Sequence, residues 1–276
     1  MPDLVGTDRF KEGSLITTAT GPTFIRTLGA GPPVLVVHGG PGFDHTYLAR
    51  VLVPLAAKRT LVFYDQPGCG HTPAPPDGVS LAQTARHLAA LSEALFSGGP
   101  FGVLAHSWGA LVLIAGACEP LSKPLSLSEG VLINPVPVTA ADYGIALQRL
   151  LARIPGEVTS RFFEALTSGV PGAEAVREIL PYYRSRSFAV SADPFPLTPA
   201  TYLAIAGNLS AFDFTAGLSA LENVSLLLGE DDFTGADLIS GIGAVCRQVY
   251  VMKQTGHFPF FEDPAEFAVL LERCFA

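Results

Sequence analysis

The chain has 276 residues, 49% of them apolar and only 15% charged, and its mean hydropathy is +0.38. That is ample material for one large core with an insertion, and it excludes disordered and fibrous classes. Lys+Arg 17 against Asp+Glu 25 gives a net charge of −8, which repels phosphate backbones and anionic lipid, so neither nucleic acid nor a membrane surface is an expected partner.

The N-terminus, MPDLVGTDRFKEG, has acids and glycines where an export signal needs a basic start and an apolar run, which points to the cytoplasm. Segments 14–20 and 23–27 flank Gly21-Pro22 as a hairpin would. Short apolar runs at 33–37, 60–64, 102–105 and 130–133 read as buried strands, with helices expected over 46–57, 80–95 and 109–118. Strand and helix alternate, so the expected fold class is α/β with a mostly parallel sheet flanked by helices. The most apolar stretch, 103–117, is broken by His106, Ser107 and Trp108 and is too short to span a membrane. After Asn134-Pro135 the rhythm breaks. Residues 136–220 have helical periodicity and several prolines, and read as an inserted helical cap, so that 1–135 and 221–276 form the core domain. Strands return at 224–228 and 248–252, and a helix opening on Pro264 closes the chain. The cysteines, Cys69, Cys118, Cys246 and Cys274, have no metal-ligand spacing and are expected to be reduced and mostly packed.

The segment Gly102-Val-Leu-Ala-His-Ser107-Trp-Gly109-Ala runs from an apolar strand through a serine into a helix, as a nucleophile elbow does. Small residues at 105 and 109 suit so tight a turn. A serine hydroxyl needs a base and an orienting acid. His257 follows the last strand, and Asp231 and Asp232 follow the one before it, giving the order Ser, Asp, His of an α/β-hydrolase. Of the two acids Asp232 is favoured, because it stands three residues after Gly229. The His38-Gly39-Gly40-Pro41-Gly42 loop would supply an oxyanion N–H from Gly40, with Gly39 as the fallback, beside that of Trp108. No phosphate-binding G-x-x-x-x-G-K or G-x-G-x-x-G follows, and neither metal nor cofactor is expected.

HGGPG at 38–42, YDQPGCG at 64–70, AHSWGA at 105–110, GNLSAFDF at 207–214, GEDD at 229–232 and GHFPFFEDP at 256–264 together resemble the proline iminopeptidase (prolyl aminopeptidase) family of α/β-hydrolases over nearly the whole chain. The resemblance implies that Ser107 is the nucleophile, His257 the base and Asp232 the acid, with 136–220 as the lid. It also implies that the carboxylates holding a substrate's α-ammonium in that family fall here on Phe233 and Tyr202, neither of which can neutralise a buried cation. Glu164 and Asp213 are the acids that would have to substitute. Aromatic residues, among them Phe162, Phe163, Tyr182, Tyr183, Phe188, Phe195, Tyr202, Phe212, Phe214 and Phe258, crowd the lid region and suit an apolar substrate group, and Cys69 is at most a wall residue. The expected function is hydrolysis of an amide or ester of a small, largely apolar molecule or short peptide through an acyl-enzyme. The rivals are a true prolyl aminopeptidase, a C–C hydrolase or acyltransferase, and a noncatalytic ligand-binding protein. Oligomeric state is not legible.

Overall fold

Strand β3 (Pro33–Val37) shows how the sheet is built: Val34 and Val36 belong to the apolar layer on one face, Leu35 and Val37 to the layer on the other. Burial on both faces is why such strands are continuous apolar runs. The computed structural model describes residues 12–120, 124–168, 172–185 and 195–276. The start of the chain, Phe188 and parts of the insertion therefore lie outside the described residues. Strands β1 (Ser14–Thr18), β2 (Gly21–Leu28), β3, β4 (Thr60–Tyr64), β5 (Phe101–His106), β6 (Leu127–Ile133), β7 (Val224–Gly229) and β8 (Val249–Met252) form one sheet in the order β1-β2-β4-β3-β5-β6-β7-β8. The β1–β2 and β2–β4 pairs are antiparallel and all others parallel. The strand order reverses between β3 and β5, so their carboxyl ends open a crevice where ligands bind in such sheets.

Two expectations need correcting. Gly21-Pro22 opens β2 rather than forming the hairpin turn, because the Thr18 hydroxyl closes the turn first by donating to the Gly21 carbonyl at 2.8 Å. The helix expected over 46–57 is two pieces, α1 (Thr46–Val51) and a 3₁₀ turn at Val53–Ala57. Pro54 has no N–H to donate and disfavours helical backbone at the residue before it, which breaks the run at Leu52.

Helix α2 (Leu81–Phe96) is capped by the Ser80 side chain, which accepts from Gln83 N–H. Against it packs α3 (Trp108–Ala117), whose nine residues from Trp108 to Gly116 are all buried, as an all-apolar helix between sheet and helix must be. Between β6 and β7 lie α4 (Ala140–Arg153), α5 (Gly156–Thr167), α6 (Gly172–Ile179) and α7 (Pro199–Ala206). The two ends of this insertion pair with each other: Thr139 bridges Asp213, Ala140 N–H donates to Phe212 O at 2.9 Å and Phe214 N–H to Val138 O at 3.0 Å. A 3₁₀ stretch, Thr215–Leu221, then returns along α3 to β7. After β7 come α8 (Gly235–Leu238) and α9 (Ser240–Val245), and after β8 come α10 (Pro259–Glu262) and α11 (Pro264–Cys274). Of the cysteines, all free, Cys69 and Cys274 are buried, Cys246 is half-buried and Cys118 is exposed. Among the described residues no helix is long and apolar enough to cross a membrane.

Candidate active site

Ser107 is the hinge between β5 and α3, at φ +53° and ψ −121°. A non-glycine residue rarely adopts this backbone, and such strain clusters at functional positions. The turn closes because Gly109 has no side chain: a Cβ there would lie 2.4 Å from the His38 carbonyl oxygen and 2.5 Å from that of Val37. The carboxyl end of β3 thus runs directly against the first turn of α3. Ser107 N–H donates to Ile133 O at 2.9 Å, fixing the hinge to β6.

The serine Oγ lies 2.8 Å from His257 Nε2, and His257 Nδ1 lies 3.0 Å from each carboxylate oxygen of Asp232. All three residues are buried. Asp231 faces elsewhere, its carboxylate accepting from the Ser185 hydroxyl and its backbone carbonyl from Arg153.

The His257 loop is pinned on three sides. Glu262 accepts from Gly256 N–H at 3.0 Å, Phe258 N–H at 3.3 Å and Ser185 N–H at 2.7 Å. The Asn134 side chain donates to Gly256 O at 2.8 Å and accepts from Gly229 N–H at 2.7 Å, tying β7 to the loop. His257 N–H donates to Tyr183 O at 2.7 Å.

A second network runs beneath the glycine loop. Gly39 N–H donates to the Tyr47 hydroxyl at 2.6 Å, Tyr47 donates to His106 Nδ1 at 2.8 Å, and His106 Nε2–H donates to the His257 carbonyl at 3.0 Å. Burial, and then the neighbouring His257, hold the His106 pKa well below the usual histidine value, so the neutral ring that this pattern requires is the one present. The Gly39 N–H is consumed by this chain and is not available as an oxyanion donor. Gly40 and Trp108 N–H have no protein acceptor among the described residues, and Gly40 lines the pocket beside Ser107. The loop is also buttressed by Gln66, whose side chain donates to His38 O at 2.6 Å and accepts from Trp108 Nε1 at 3.1 Å.

Sequence reasoning gave no role to Tyr47, His106 or Glu262. Glu262 could have been noticed as a carboxylate in an otherwise apolar run five residues after His257; the other two carry no local signal. Asp44, His45 and Asp65 form a buried cluster whose donor types suit a cation. Three of its four carboxylate oxygens are already engaged: Asp65 accepts from His45 Nδ1 at 2.7 Å and His71 N–H at 2.9 Å, and Asp44 Oδ1 from Thr46 N–H at 2.8 Å.

Above Ser107 is a small pocket with a cavity volume of ≈ 40 Å³. Its floor includes Gly40, Pro41, His106, Ser107, His257 and Phe258, and its roof Phe162, Ile179, Leu180, Tyr183, Leu197 and Tyr202. Tyr202 and Phe258 therefore line it, whereas Phe233 stands behind His257, ring centroids 4.7 Å apart. No carboxylate lines the pocket among the described residues. Glu164 and Asp213 are exposed, and Asp213 accepts from Thr215 N–H and hydroxyl. Of the other aromatics, Phe163 is 44% exposed, Tyr182 is half-buried, Phe195 packs on Tyr47 and Phe258, and Phe212 stacks on Phe214 at the stem of the insertion.

A sequence model described as the alpha/beta hydrolase family matches residues 34–270. A proline iminopeptidase of Heyndrickxia coagulans is 26% identical over 265 residues, covering 88% of this chain and 90% of that protein. One from Lactobacillus delbrueckii subsp. lactis is 26% identical, covering 90% and 92%. Among solved structures, the proline iminopeptidase of Mycobacterium smegmatis superposes with a TM-score of 0.69 at 22% identity, covering 96% of this chain and 98% of that one. An alpha/beta fold hydrolase from Bacillus anthracis str. Sterne gives a TM-score of 0.71 at 15% identity, covering 96% and 99%.

Proposed function

The chain belongs to the alpha/beta hydrolase family, and we propose that it is a serine hydrolase cleaving an ester or amide of a small, largely apolar, uncharged substrate through an acyl-enzyme. The observation that carries this reading is the unbroken run Ser107 Oγ, His257 Nε2, His257 Nδ1, Asp232 at hydrogen-bond distances on the floor of an apolar pocket.

In this mechanism Asp232 holds the proton on Nδ1, leaving Nε2 free to take the Ser107 proton as Oγ attacks the carbonyl carbon. The oxyanion is received by the N–H groups of Gly40 and Trp108, each such donor being worth about 10²–10³ in rate. Collapse of the tetrahedral intermediate expels the alcohol or amine, which takes its proton from Nε2. Water, deprotonated by the same nitrogen, then releases the acid and restores Ser107. The insertion, read as a cap over residues 136–220, covers the reaction and selects what enters.

A true prolyl aminopeptidase is the second reading, favoured by the proline iminopeptidases that align with nearly the whole chain. Against it stands the chemistry of the pocket. An ammonium buried without a counter-charge loses hydration worth several kcal/mol, and cation–π contacts return only about 0.5–2. Amine-free or N-capped esters and amides of apolar acids are therefore expected to be cleaved with higher kcat/KM than proline β-naphthylamide, and the preference should persist at 0.5 M salt because burial is its cause. If proline β-naphthylamide proves the best substrate and its N-acetyl derivative is inert, the aminopeptidase reading replaces this one. A serine-directed phosphonate should label Ser107 alone, as mapped by peptide mass spectrometry. Labelling elsewhere, or identical ester turnover by wild type and Ser107→Ala, would remove the catalytic assignment and favour a binding protein.

A further inference from the structure

The residues of the pocket roof are apolar except for two whose side chains carry a polar atom, Tyr183 and Tyr202. Neither hydroxyl has a hydrogen-bond partner among the described residues. A fully buried hydroxyl is ordinarily bonded, but Tyr183 and Tyr202 are half-buried and their hydroxyls are not sealed from solvent, so each is free to bond water or a ligand. Tyr47 beneath the same pocket obeys the rule, bonded on both sides. Tyr64 does not, but it is fully buried and outside the pocket lining, where no ligand reaches it. Tyr183 and Tyr202 differ from both in being unbonded and open to whatever occupies the pocket.

Resting on the serine-hydrolase reading, we propose that Tyr183 and Tyr202 form a subsite for an uncharged oxygen of the substrate, so that the preferred substrates are esters or amides carrying a hydroxyl, ether or carbonyl oxygen rather than plain hydrocarbon ones. The two residues flank the reacting groups from different sides. The Tyr183 ring lies 5.6 Å from that of His257, and its carbonyl takes the His257 N–H. Tyr202 is held down on the glycine loop: Thr198 N–H at the start of α7 donates to Gly42 O at 2.8 Å, and a Cβ at Gly42, where φ is +89°, would lie 3.2 Å from Tyr202 Cβ.

The chemistry of the pair selects neutral oxygen over charge. Burial pushes the Tyr183 phenol well above its ordinary range, with the nearby Tyr202, Tyr143 and Asp232 opposing ionisation further, and burial raises Tyr202 as well. Both remain protonated donors at any working pH. They offer no charge to an ammonium, and without a cation beside them they do not repay the desolvation of a carboxylate, which Asp232 would also repel.

The test compares p-nitrophenyl hexanoate with its 4-oxa and 5-oxa analogues, in which one methylene becomes an ether oxygen, each rate being divided by that for hydroxide. A purely apolar pocket favours the methylene. A phenol donor in reach of the oxygen reverses the order, by about 3- to 10-fold in kcat/KM and mainly through KM. At least one oxa ester is expected to win in the wild type, and the ratio to fall to one or below in Tyr183→Phe or Tyr202→Phe and lowest in the double variant. Hexanoate preferred over both analogues in the wild type, or an oxa preference that survives in the double variant, overturns the subsite. The wild-type comparison stands alone if a variant does not fold. Turnover that depends on Ser107 but ignores the ether oxygen removes the subsite and leaves the hydrolase reading intact, whereas no Ser107-dependent turnover of any ester removes both.

Discussion

The floor and the roof of the pocket are built on opposite rules. Beneath the substrate space nearly every polar atom has a partner: Ser107, His257, Asp232, His106, Tyr47 and Glu262 are linked through bonds that join β3, β5, β7 and the loop after β8. Above it, helices α5 to α7 present mainly hydrocarbon, and the two hydroxyls they and their connections bring are unbonded. A fully satisfied network holds atoms to the fraction of an ångström that proton transfer needs. An unsatisfied apolar wall leaves its few polar groups for the ligand. On the proposed reading, chemistry is thus a property of the sheet, and selectivity a property of the insertion.

The largest effect should come from breaking the floor at its acid. Asp232→Asn is expected to lower kcat by about 10⁴-fold, since the amide favours the wrong imidazole tautomer, while Asp231→Asn changes it less than about 3-fold. Steady-state kinetics on one activated ester decides this, and the reverse result would mean that the turn after β7 is misread by one residue. A smaller effect is expected one layer down, at the Tyr47–His106 chain. Tyr47→Phe strands the Gly39 N–H and His106 Nδ1 in a buried site, which costs about 1–3 kcal/mol of stability by urea denaturation. The displaced glycine loop should lower kcat about 10-fold with little change in KM. An equal loss in a roof variant such as Phe162→Leu would erase the distinction between the two regions. The smallest effect concerns acid stability. Burial would raise the Asp65 pKa, but the hydrogen bond and charge of His45, with help from His38 and the His71 N–H, hold it at about 2, below the ordinary 3.8. A depressed folded-state value means that its contribution is complete above about pH 4 and is lost as the pH falls toward 2. Asp65→Asn should therefore lower stability at pH 7 and flatten its decline between pH 4 and pH 2, read from urea midpoints across that range.

The floor was also the more legible region in the sequence. Buried parallel strands announce themselves as apolar runs, and the small residue at 109 follows from how near β3 passes. Asp232 could be told from Asp231 by counting from Gly229, because the end of β7 fixes where the turn begins. The Tyr47–His106 and Glu262 contacts could not be read, since the first spans 59 residues and Glu262 bonds loop amides that no periodicity marks. For the same reason the sequence leaves Gly39 open as an oxyanion donor, whereas in the fold Tyr47 takes its N–H. In the insertion, helical periodicity was visible, but which aromatics face the pocket depends on how helices tilt over the sheet. Phe162 and Tyr202 turn inward while Phe163, one position away from the first, faces solvent.

The paired stem at 138–140 and 212–214 has an evolutionary consequence. Because the chain leaves β6 and comes back toward β7 through two adjoining segments, the stem closes whatever the length beyond it, and the excursion meets the core again where residues such as Tyr183, Ser185 and Thr198 bond the His257 and glycine loops. Descendants of such a chain can lengthen or shorten the excursion away from those contacts without disturbing the elbow, so lineages that share the floor are free to diverge in diet.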